Sequence, residues 1–182
     1  MSLKRSCTVF LLVLSLSSQA SDLVLEAQIA SGGDTITSST SGDQKLKAGD
    51  ALHLAIGSSW PLNPDETTRF NATIGYSWSR EEYSNAEASI SRFPVELSIN
   101  QWFKNVALSA GFSYHMNPQI DIEANGASGE VDLDNALGVF GGVAYRFESD
   151  TELGLRATSI DYKTNGQEAD ANAIGLYVRL YR

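Results

Sequence analysis

The sequence predicts an all-β protein, a closed antiparallel up-and-down transmembrane β-barrel of about eight strands. Bulky apolar residues alternate with small or polar residues in one segment after another, which is the two-residue period of a β-strand. The connections between these segments are short and long in turn, as in barrels whose two ends face different compartments. After residue 20, no apolar run approaches the ~20 residues that a membrane-spanning helix needs, so a membrane-spanning sheet must close on itself.

The first twenty residues have the pattern of a secretory signal. Lys4 and Arg5 precede an apolar run at 9–14, and Ser18-Gln19-Ala20 resembles a cleavage site between small residues. We predict a signal peptide over 1–20 and a barrel domain over 21–182. A transmembrane anchor is the alternative, but the run is short for one. The only cysteine, Cys7, lies in this segment, so the exported chain would have no disulfide and no thiol chemistry.

The charge of the chain excludes one class of partner. Lys and Arg number 13 against 22 Asp and Glu, a formal net charge of −9. Removing Lys4 and Arg5 with the signal changes −9 to −11. A chain this acidic is not expected to bind nucleic acid, whose affinity depends on cationic contacts to phosphate.

Eight segments show the strand period. In the last, Ile174, Leu176, Val178 and Leu180 share one face, and the opposite face carries a glycine, an arginine and two tyrosines. Because the chain ends there, we expect this strand to pair with the first strand as well as with the preceding one. The other seven segments are 23–30, 52–60, 70–79, 93–103, 106–116, 137–147 and 153–162, the last with a predicted β-bulge near Thr158-Ser159 where the apolar parity changes.

The connections divide into two sets. Short turns are predicted at 61–67, 104–105 and 148–151, and long connections at 31–49, 80–91, 116–135 and 163–172, the last containing the hairpin signal Asn165-Gly166. This alternation predicts periplasmic turns at one end of the barrel and external loops at the other.

The two faces of the strands differ in bulk. Glycines fall on the polar face, which suits the crowded interior of a narrow barrel. A soluble ligand-binding barrel is the alternative, but it would need bulky apolar residues inside and charges outside. Aromatic residues near the strand ends predict two interfacial girdles, with Trp60, Phe70, Trp102, Phe103, Tyr145 and Phe147 near the short turns.

With these features, and with segments such as Gly154-Leu155-Arg156 and Ile174-Gly175-Leu176-Tyr177, the chain resembles the small Gram-negative outer-membrane β-barrel proteins of the OmpA-like and OmpX-like group. The resemblance implies a monomer located in the cell outer membrane. Its implied partners are outer-membrane lipid, lipopolysaccharide and the outer-membrane assembly machinery. Members usually end in an aromatic residue that this machinery recognises, whereas this chain has Arg182 there.

Charged residues on the inward face predict an interior polar network. They are Glu26, Glu96, Arg156 and Arg179, with Arg146 towards the short-turn end. Unpaired charges would be costly in so narrow a barrel, so we expect ion pairs. The network is interpreted as a filled interior, and a narrow small-solute pore is the alternative.

The sequence offers no cofactor, metal or catalytic signature. His53 and His115 both face inward, but no His/Asp/Glu spacing has the pattern of a metal site. Lipid A deacylases and acyltransferases are enzymes on this scaffold, and Ser113 with His115 could form a serine–base pair. Their order is the reverse of the His-x-Ser arrangement of the deacylases, so no enzyme is predicted.

The third long connection has an acidic face. Strand parity is expected to continue through Ile120 and Ile122, which would place Asp121, Glu123, Glu130, Asp132 and Asp134 together on an external hairpin. Such a face favours divalent cations or a basic partner, although a solvated face without a ligand is the alternative. The sequence thus predicts a structural or surface-interaction role through long acidic external loops.

Overall fold

The computed structural model describes residues 21–38, 45–83, 86–124, 127–164 and 167–182. The predicted signal at 1–20 and the hairpin tip Asn165-Gly166 lie outside these residues. No helix in the described part of the chain is long and apolar enough to cross a membrane.

Eight strands form a closed antiparallel barrel, which confirms the predicted fold class. The chain's last strand pairs with its first, where Leu25 faces Leu180, and also with the strand before it. Closure is completed between the two longest strands, where Trp102 faces Ala107. The order around the barrel is β1 (Asp22–Ser31), β4 (Ala51–Pro61), β5 (Thr68–Tyr83), β6 (Ala86–Phe103), β7 (Val106–Ala124), β9 (Ala136–Arg146), β10 (Thr151–Ser159) and β13 (Ala173–Tyr181).

Five shorter strands extend the end of the barrel that carries the long connections. They are β2 (Thr35–Ser38), β3 (Lys45–Lys47), β8 (Ala127–Asp132), β11 (Asp161–Thr164) and β12 (Gln167–Asp170). β2 pairs with β3, β8 pairs with the outer part of β7, and β11 pairs with β12. We call the described residues in 32–38, 45–50, 79–83, 86–91, 117–124, 127–135, 160–164 and 167–172 the crown.

The strand faces divide as the bulk of their side chains predicts. On β7, Leu108 is 49% exposed on the outer surface, whereas the next residue, Ser109, is 8% exposed and faces the interior. The same alternation on the other strands builds an outer belt of aliphatic and aromatic side chains, the surface expected of a barrel in lipid.

The inward glycines allow neighbouring strands to approach closely. A Cβ atom added at Gly57 would lie 2.0 Å from the carbonyl oxygen of Ala72, and one at Gly111 would lie 2.3 Å from that of Leu97. Only a residue without a side chain allows neighbouring strands this approach.

The predicted bulge near Thr158-Ser159 is wrong. β10 pairs with β9 without a register shift as far as Ser159 opposite Val139. Ile160 and Tyr162 keep the inward parity of Arg156 and are buried at the external end of the barrel. The apolar pattern changes there because the surroundings of the inward face change from polar to apolar, while the backbone direction stays the same.

In the barrel wall a register irregularity lies instead between β6 and β7, and it corrects the expected parity of the third long connection. The pairing shifts between Ser91 and Phe93, and opposite it Asn117 has a positive φ of 47°. This bulge adds a residue to β7, so Ile120 turns inward and Asp121 turns outward. Parity therefore does not continue unbroken from the membrane into the crown.

Apolar clusters occupy both ends of the interior. The external cluster, under the crown, consists of Leu46, Ala48, Ala88, Ile90, Ala136, Ile160, Tyr162 and Ala171. The short-turn cluster consists of Val24, Trp102, Ala107, Ala144, Tyr177 and Tyr181. Trp102 is 6% exposed and points inward, so its predicted place in an interfacial girdle is wrong.

Candidate functional site

A buried ion-pair network lies between the two apolar clusters, and Arg156 links its carboxylates. The Arg156 guanidinium contacts Glu26 Oε1 at 2.8 Å and Glu96 Oε2 at 3.0 Å. Arg156, Glu26 and Glu96 lie at inward-facing positions of β10, β1 and β6. Their side chains therefore meet near the barrel axis. A different nitrogen of the planar guanidinium meets each carboxylate, so one arginine bridges the two acids.

Arg179 continues the network towards the short turns. Its Nη2 lies 2.6 Å from Glu26 Oε2, and its Nη1 lies 3.4 Å from Glu152 Oε2 and 3.2 Å from Asn100 Oδ1. Glu152 also accepts a 2.6 Å hydrogen bond from Trp102 Nε1. The ion pairs are thus anchored directly to the short-turn cluster.

Aromatic rings cover the cations. The Arg156 guanidinium lies 4.3 Å from the ring centre of Phe140, and the Arg179 guanidinium lies 5.0 Å from that of Tyr177. These cation–π contacts add attraction in a region that excludes water. They also fill the cross-section around the charges.

Arg146 is not part of this network, in contrast to the prediction. It pairs with Asp150 at 2.7 Å, its side chain is 26% exposed, and its guanidinium stacks 3.5 Å from the ring centre of Trp102. It is placed at the last residue of β9, beyond the ion pairs, where the interior opens at the short turns.

Three buried charged residues were missing from the sequence-based network. Glu152 is fully buried, Arg69 bonds to Ser59 and Asp22 at the short-turn end, and Arg92 donates to the carbonyl oxygens of Ala48 and Asp50 below the crown. Each is the residue immediately before a predicted strand segment, and each faces inward. Extending the alternation by one residue would have found all three.

The two histidines face inward as predicted and flank the external side of the network. His53 Nδ1 lies 2.8 Å from Ser77 Oγ, and His115 Nδ1 is hydrogen-bonded to the Tyr162 hydroxyl. Burial raises the pKa of Tyr162 in the crown to about 12, although nearby Arg92 lowers it. The phenol is therefore neutral at physiological pH.

The Ser113–His115 pair has no catalytic arrangement. Ser113 Oγ donates to Glu96 Oε1 at 3.1 Å, while His115 Nδ1 is taken by Tyr162. Both side chains are buried inside the barrel, away from the lipid substrates that an enzyme of this kind would act on. A nucleophile needs a base within hydrogen-bond reach, and these contacts use the two groups separately.

The fold also brings together a set of groups that spacing along the chain did not reveal. Ligand atoms of Glu26, His53 and Glu96 lie within 4.8 Å of one another, a distance compatible with a metal ion. Both carboxylates already bind Arg156, so a cation would have to displace this buried guanidinium. The donor set therefore fits the ion pairs better than a metal.

A cavity of about 40 Å³ adjoins these residues, lined by Gln28, His53, Arg92, Glu96 and Arg156 among others. The space can hold a few water molecules, since about 10–15 Å³ of such space is enough for one. His53 Nε2 and Gln28 Oε1 are buried there without a hydrogen-bond partner among the described protein atoms. Among the described residues, apolar clusters lie beyond this cavity towards both ends of the barrel.

The crown places acidic side chains on its outer surface. Asp121 faces Glu130 directly across β7 and β8, and Glu123 faces Glu87 across β7 and β6. Asp132, opposite Gln119, lies on the same face, whereas Asp134 is exposed beyond the end of β8. Arg80, which bonds to Glu87 and lies 3.3 Å from Glu82, offsets part of this charge.

The crown as a whole is strongly acidic. Its described residues include thirteen Asp and Glu but only four Lys and Arg. Lys163 lies 3.5 Å from Glu168 across β11 and β12, an exposed pair of the kind that contributes little to stability.

Solved structures of known proteins share this architecture. The attachment invasion locus protein Ail of Yersinia pestis superposes with a TM-score of 0.56 at 10% sequence identity, covering 88% of this chain and 97% of that chain. Neisserial surface protein A superposes with a TM-score of 0.53 at 14% identity, covering 89% of this chain and 97% of that chain. At these identities the likeness establishes the fold alone.

No curated protein sequence matches the chain significantly. A family model described as the outer membrane protein beta-barrel domain matches residues 7–180, almost the entire chain. The closed barrel, its apolar outer belt and its buried polar interior agree with this match. The chain belongs to the outer membrane protein β-barrel domain family, whose members lie in the outer membrane.

Proposed function

We propose that this protein is a monomeric outer-membrane barrel without an open channel or catalytic activity, which acts at the cell surface through its acidic crown. The observation that carries the proposal is the filled cross-section: the ion pairs of Arg156 and Arg179 occupy the barrel axis, with apolar clusters on both sides. With the interior filled, the side chains that can contact partners outside the cell are those of the crown. Export by a signal peptide over 1–20 is part of this proposal.

The filled interior distinguishes this function from a pore. A pore needs a continuous water-filled path, whereas the interior cavity of about 40 Å³ has room for only a few water molecules. We therefore expect no resolvable single-channel conductance when the purified protein is inserted in planar bilayers. Conductance steps of constant size, whose frequency increases with protein concentration, would support the pore instead.

The lipid A deacylase or acyltransferase function is tested separately. The contacts of Ser113 and His115 use both groups in the interior, which favours a non-enzymatic role. We expect the mass spectrum of lipid A to be the same in cells with and without the protein. A loss or gain of an acyl chain that depends on expression would contradict the proposal.

The crown's charge indicates which surface partners suit it. Ail was also crystallised with the heparin analogue sucrose octasulfate, in a structure with a TM-score of 0.54 and 10% identity that covers 88% of this chain and 97% of that one. Acidic residues dominate the crown of the present chain, so a polyanion would be repelled. A basic partner suits it better.

We further propose that the aliphatic belt contacts outer-membrane lipid and lipopolysaccharide, and that the outer-membrane assembly machinery inserts the barrel. Divalent cations are a second partner for the outer acidic face, since Asp121 and Glu130 lie opposite one another. Binding of Ca²⁺ or Mg²⁺ would be measured by titration calorimetry on the folded protein, with Asp121→Asn as the comparison. Equal heats of binding for both proteins would mean that Asp121 does not bind a divalent cation.

A further inference from the structure

The inner side of the crown forms an apolar groove that opens away from the membrane. It has a volume of about 520 Å³ and lies between β2, the β7–β8 hairpin and the β11–β12 hairpin. Its apolar walls come from Ile36, Ile120, Ile122, Val131 and Leu133. We call this space the crown groove.

Part of the crown groove is an extension of the external cluster, and part of it remains uncovered. Ile120 and Leu133 pack against buried members of that cluster. Ile122 lies two residues further from the barrel than Ile120, and Val131 two residues further than Leu133. Their exposed fractions are 37% and 40%. Exposed apolar side chains in a concave surface are typical of a binding site, because a ligand there removes both sides from water.

Hydrogen bonds join the hairpins around the groove in the described part of the crown. Asp34 N–H donates to the Asp170 carbonyl, Asp134 N–H donates to the Lys163 carbonyl, and Thr164 Oγ1, on the last residue of β11, donates to the Asp132 carbonyl. Side chains line the groove between the joined hairpins. An extended chain can lie in such a slot between strands.

The groove's rim determines the charge of its occupant. Asp34 and Glu168 line it directly, in a crown where acidic residues outnumber basic ones thirteen to four. A carboxylate rim attracts cations and repels sulfated or phosphorylated ligands. The ligand that fits is apolar towards the walls and cationic towards the rim.

The undescribed stretches between the crown strands are poor in apolar side chains. Residues 39–44, between β2 and β3, read Ser-Thr-Ser-Gly-Asp-Gln, and the hairpin tips at 84–85, 125–126 and 165–166 contain only serine, asparagine and glycine. None of these residues would bury a large apolar side chain. β1 begins at the other end of the barrel, where Asp22 faces Ser59 beside the short turns.

We propose that the crown groove binds an extended segment of a partner protein in which apolar side chains alternate with lysine or arginine. In an extended chain this alternation puts the apolar side chains on the face towards the groove and the cations on the face towards the acidic rim. The inference rests on the proposed surface-interaction function and specifies its ligand.

The test uses the full-length protein in phosphatidylcholine nanodiscs and measures fluorescence anisotropy of labelled peptides. One peptide alternates lysine with leucine, a second replaces leucine with serine, and a third replaces lysine with glutamate. Empty nanodiscs correct for binding to lipid. We expect the lysine–leucine peptide to bind at least about tenfold more tightly than either of the others.

Two variants with the same change in charge locate the binding. Val131→Lys places a cation in the groove, and Ser128→Lys places one on the opposite, outer face of β8. We expect Val131→Lys to weaken binding of the lysine–leucine peptide by about tenfold or more and Ser128→Lys by about twofold or less. Heat-modifiable gel migration verifies that both barrels are folded.

The outcomes separate this inference from the proposed function. If the lysine–serine peptide binds as well as the lysine–leucine peptide, and both lysine variants weaken binding equally, the outer acidic face is the interaction surface and the groove is not. If no cationic peptide binds, both the groove and the basic-partner function are wrong. Binding of the glutamate–leucine peptide with equal affinity would overturn the predicted charge of the ligand.

Discussion

Arg156 is the residue on which the barrel's interior depends most. Its guanidinium binds the carboxylates of Glu26 and Glu96, which come from strands on other sides of the barrel. A buried charge that loses its partner is much more costly than an exposed one, because water cannot replace the missing contact. Arg146 supplies a natural comparison, since it pairs with Asp150 near the surface.

Replacing these two arginines by methionine should therefore give different losses of stability. Arg156→Met leaves Glu96 buried without a cationic partner and should cost about 3–5 kcal/mol. Arg146→Met removes an exposed pair and a contact to Trp102, and should cost about 1 kcal/mol. Urea unfolding of the protein in phosphatidylcholine vesicles measures both. Equal losses would place Arg146 in the network, as its sequence position predicted.

The sequence predicts most of the interior residues, and the omissions have one physical origin. Glu26, Glu96 and Arg179 lie at inward positions of segments whose apolar alternation is clear. Glu152 and Arg92 lie where the outer aliphatic row stops, so hydrophobic periodicity ends before the strand does. The backbone keeps its alternation beyond the lipid, and charged residues can follow it there.

At the level of strands, position in the bilayer decides what an outward substitution costs. Leu155 is the middle residue of β10 and is 53% exposed in the outer belt, whereas Val106 begins β7 next to the short turn. A charge at the bilayer centre costs about 2–4 kcal/mol, and near the interface about 0–1 kcal/mol. Depth can thus be measured with a matched pair of substitutions.

Leu155→Arg should lower the free energy of unfolding by about 2–4 kcal/mol and Val106→Arg by about 1 kcal/mol or less. Both changes introduce the same side chain at an exposed apolar position. The measurement is the urea unfolding midpoint in vesicles, with heat-modifiable migration as a check on folding. A larger effect at Val106 would mean that the lipid belt is displaced towards the short turns.

The bulge in β7 controls which way the crown strands face. Asn117 adopts a positive φ of 47°, a conformation that asparagine tolerates and β-branched residues disfavour. Sequence alone did not reveal it, because the apolar residues keep even numbers on both sides of Asn117. Only the pairing with β6 identifies the extra residue.

Asn117→Ile should loosen the outer part of β7 at a cost of about 1–2 kcal/mol, while Asn117→Gly should be tolerated. Hydrogen exchange of the backbone amides at 119–124 would become faster in Asn117→Ile, with little change at 106–115 inside the barrel. Met116→Ile, at the neighbouring position outside the left-handed region, is the control. Equal exchange in all three variants would mean that the bulge needs no special residue.

Across the whole molecule, the polarity of the two strand faces inverts along the barrel axis. Within the belt, apolar side chains face outward and ion pairs lie inside, whereas in the crown Ile90, Ile160 and Tyr162 are buried inside and carboxylates lie outside. The inversion follows the change of solvent from lipid to water. It also explains the apparent parity change at Ile160, which the sequence presented as a bulge.

Closure of this whole structure between the first and last strands can be tested with two cysteines. Ala27 and Val178 face each other across β1 and β13, both on the outer surface. Opposed residues of an antiparallel pair have Cα atoms about 4.5–5.5 Å apart, within the range of a disulfide. Leu153 faces Val178 from the other side, so it lies about two strand spacings, roughly 10 Å, from Ala27.

Oxidation with copper phenanthroline should therefore join Ala27→Cys to Val178→Cys and leave the pair Ala27→Cys with Leu153→Cys reduced. Cys7 is replaced by serine in both proteins, so that the introduced thiols are the only ones. Maleimide addition after unfolding, followed by mass spectrometry, counts the free thiols. Two free thiols in both proteins would mean that β1 and β13 are not adjacent and that the sheet is open. Only a closed sheet keeps the inward charges away from lipid. In an open sheet the buried position of the interior ion pairs would need another explanation.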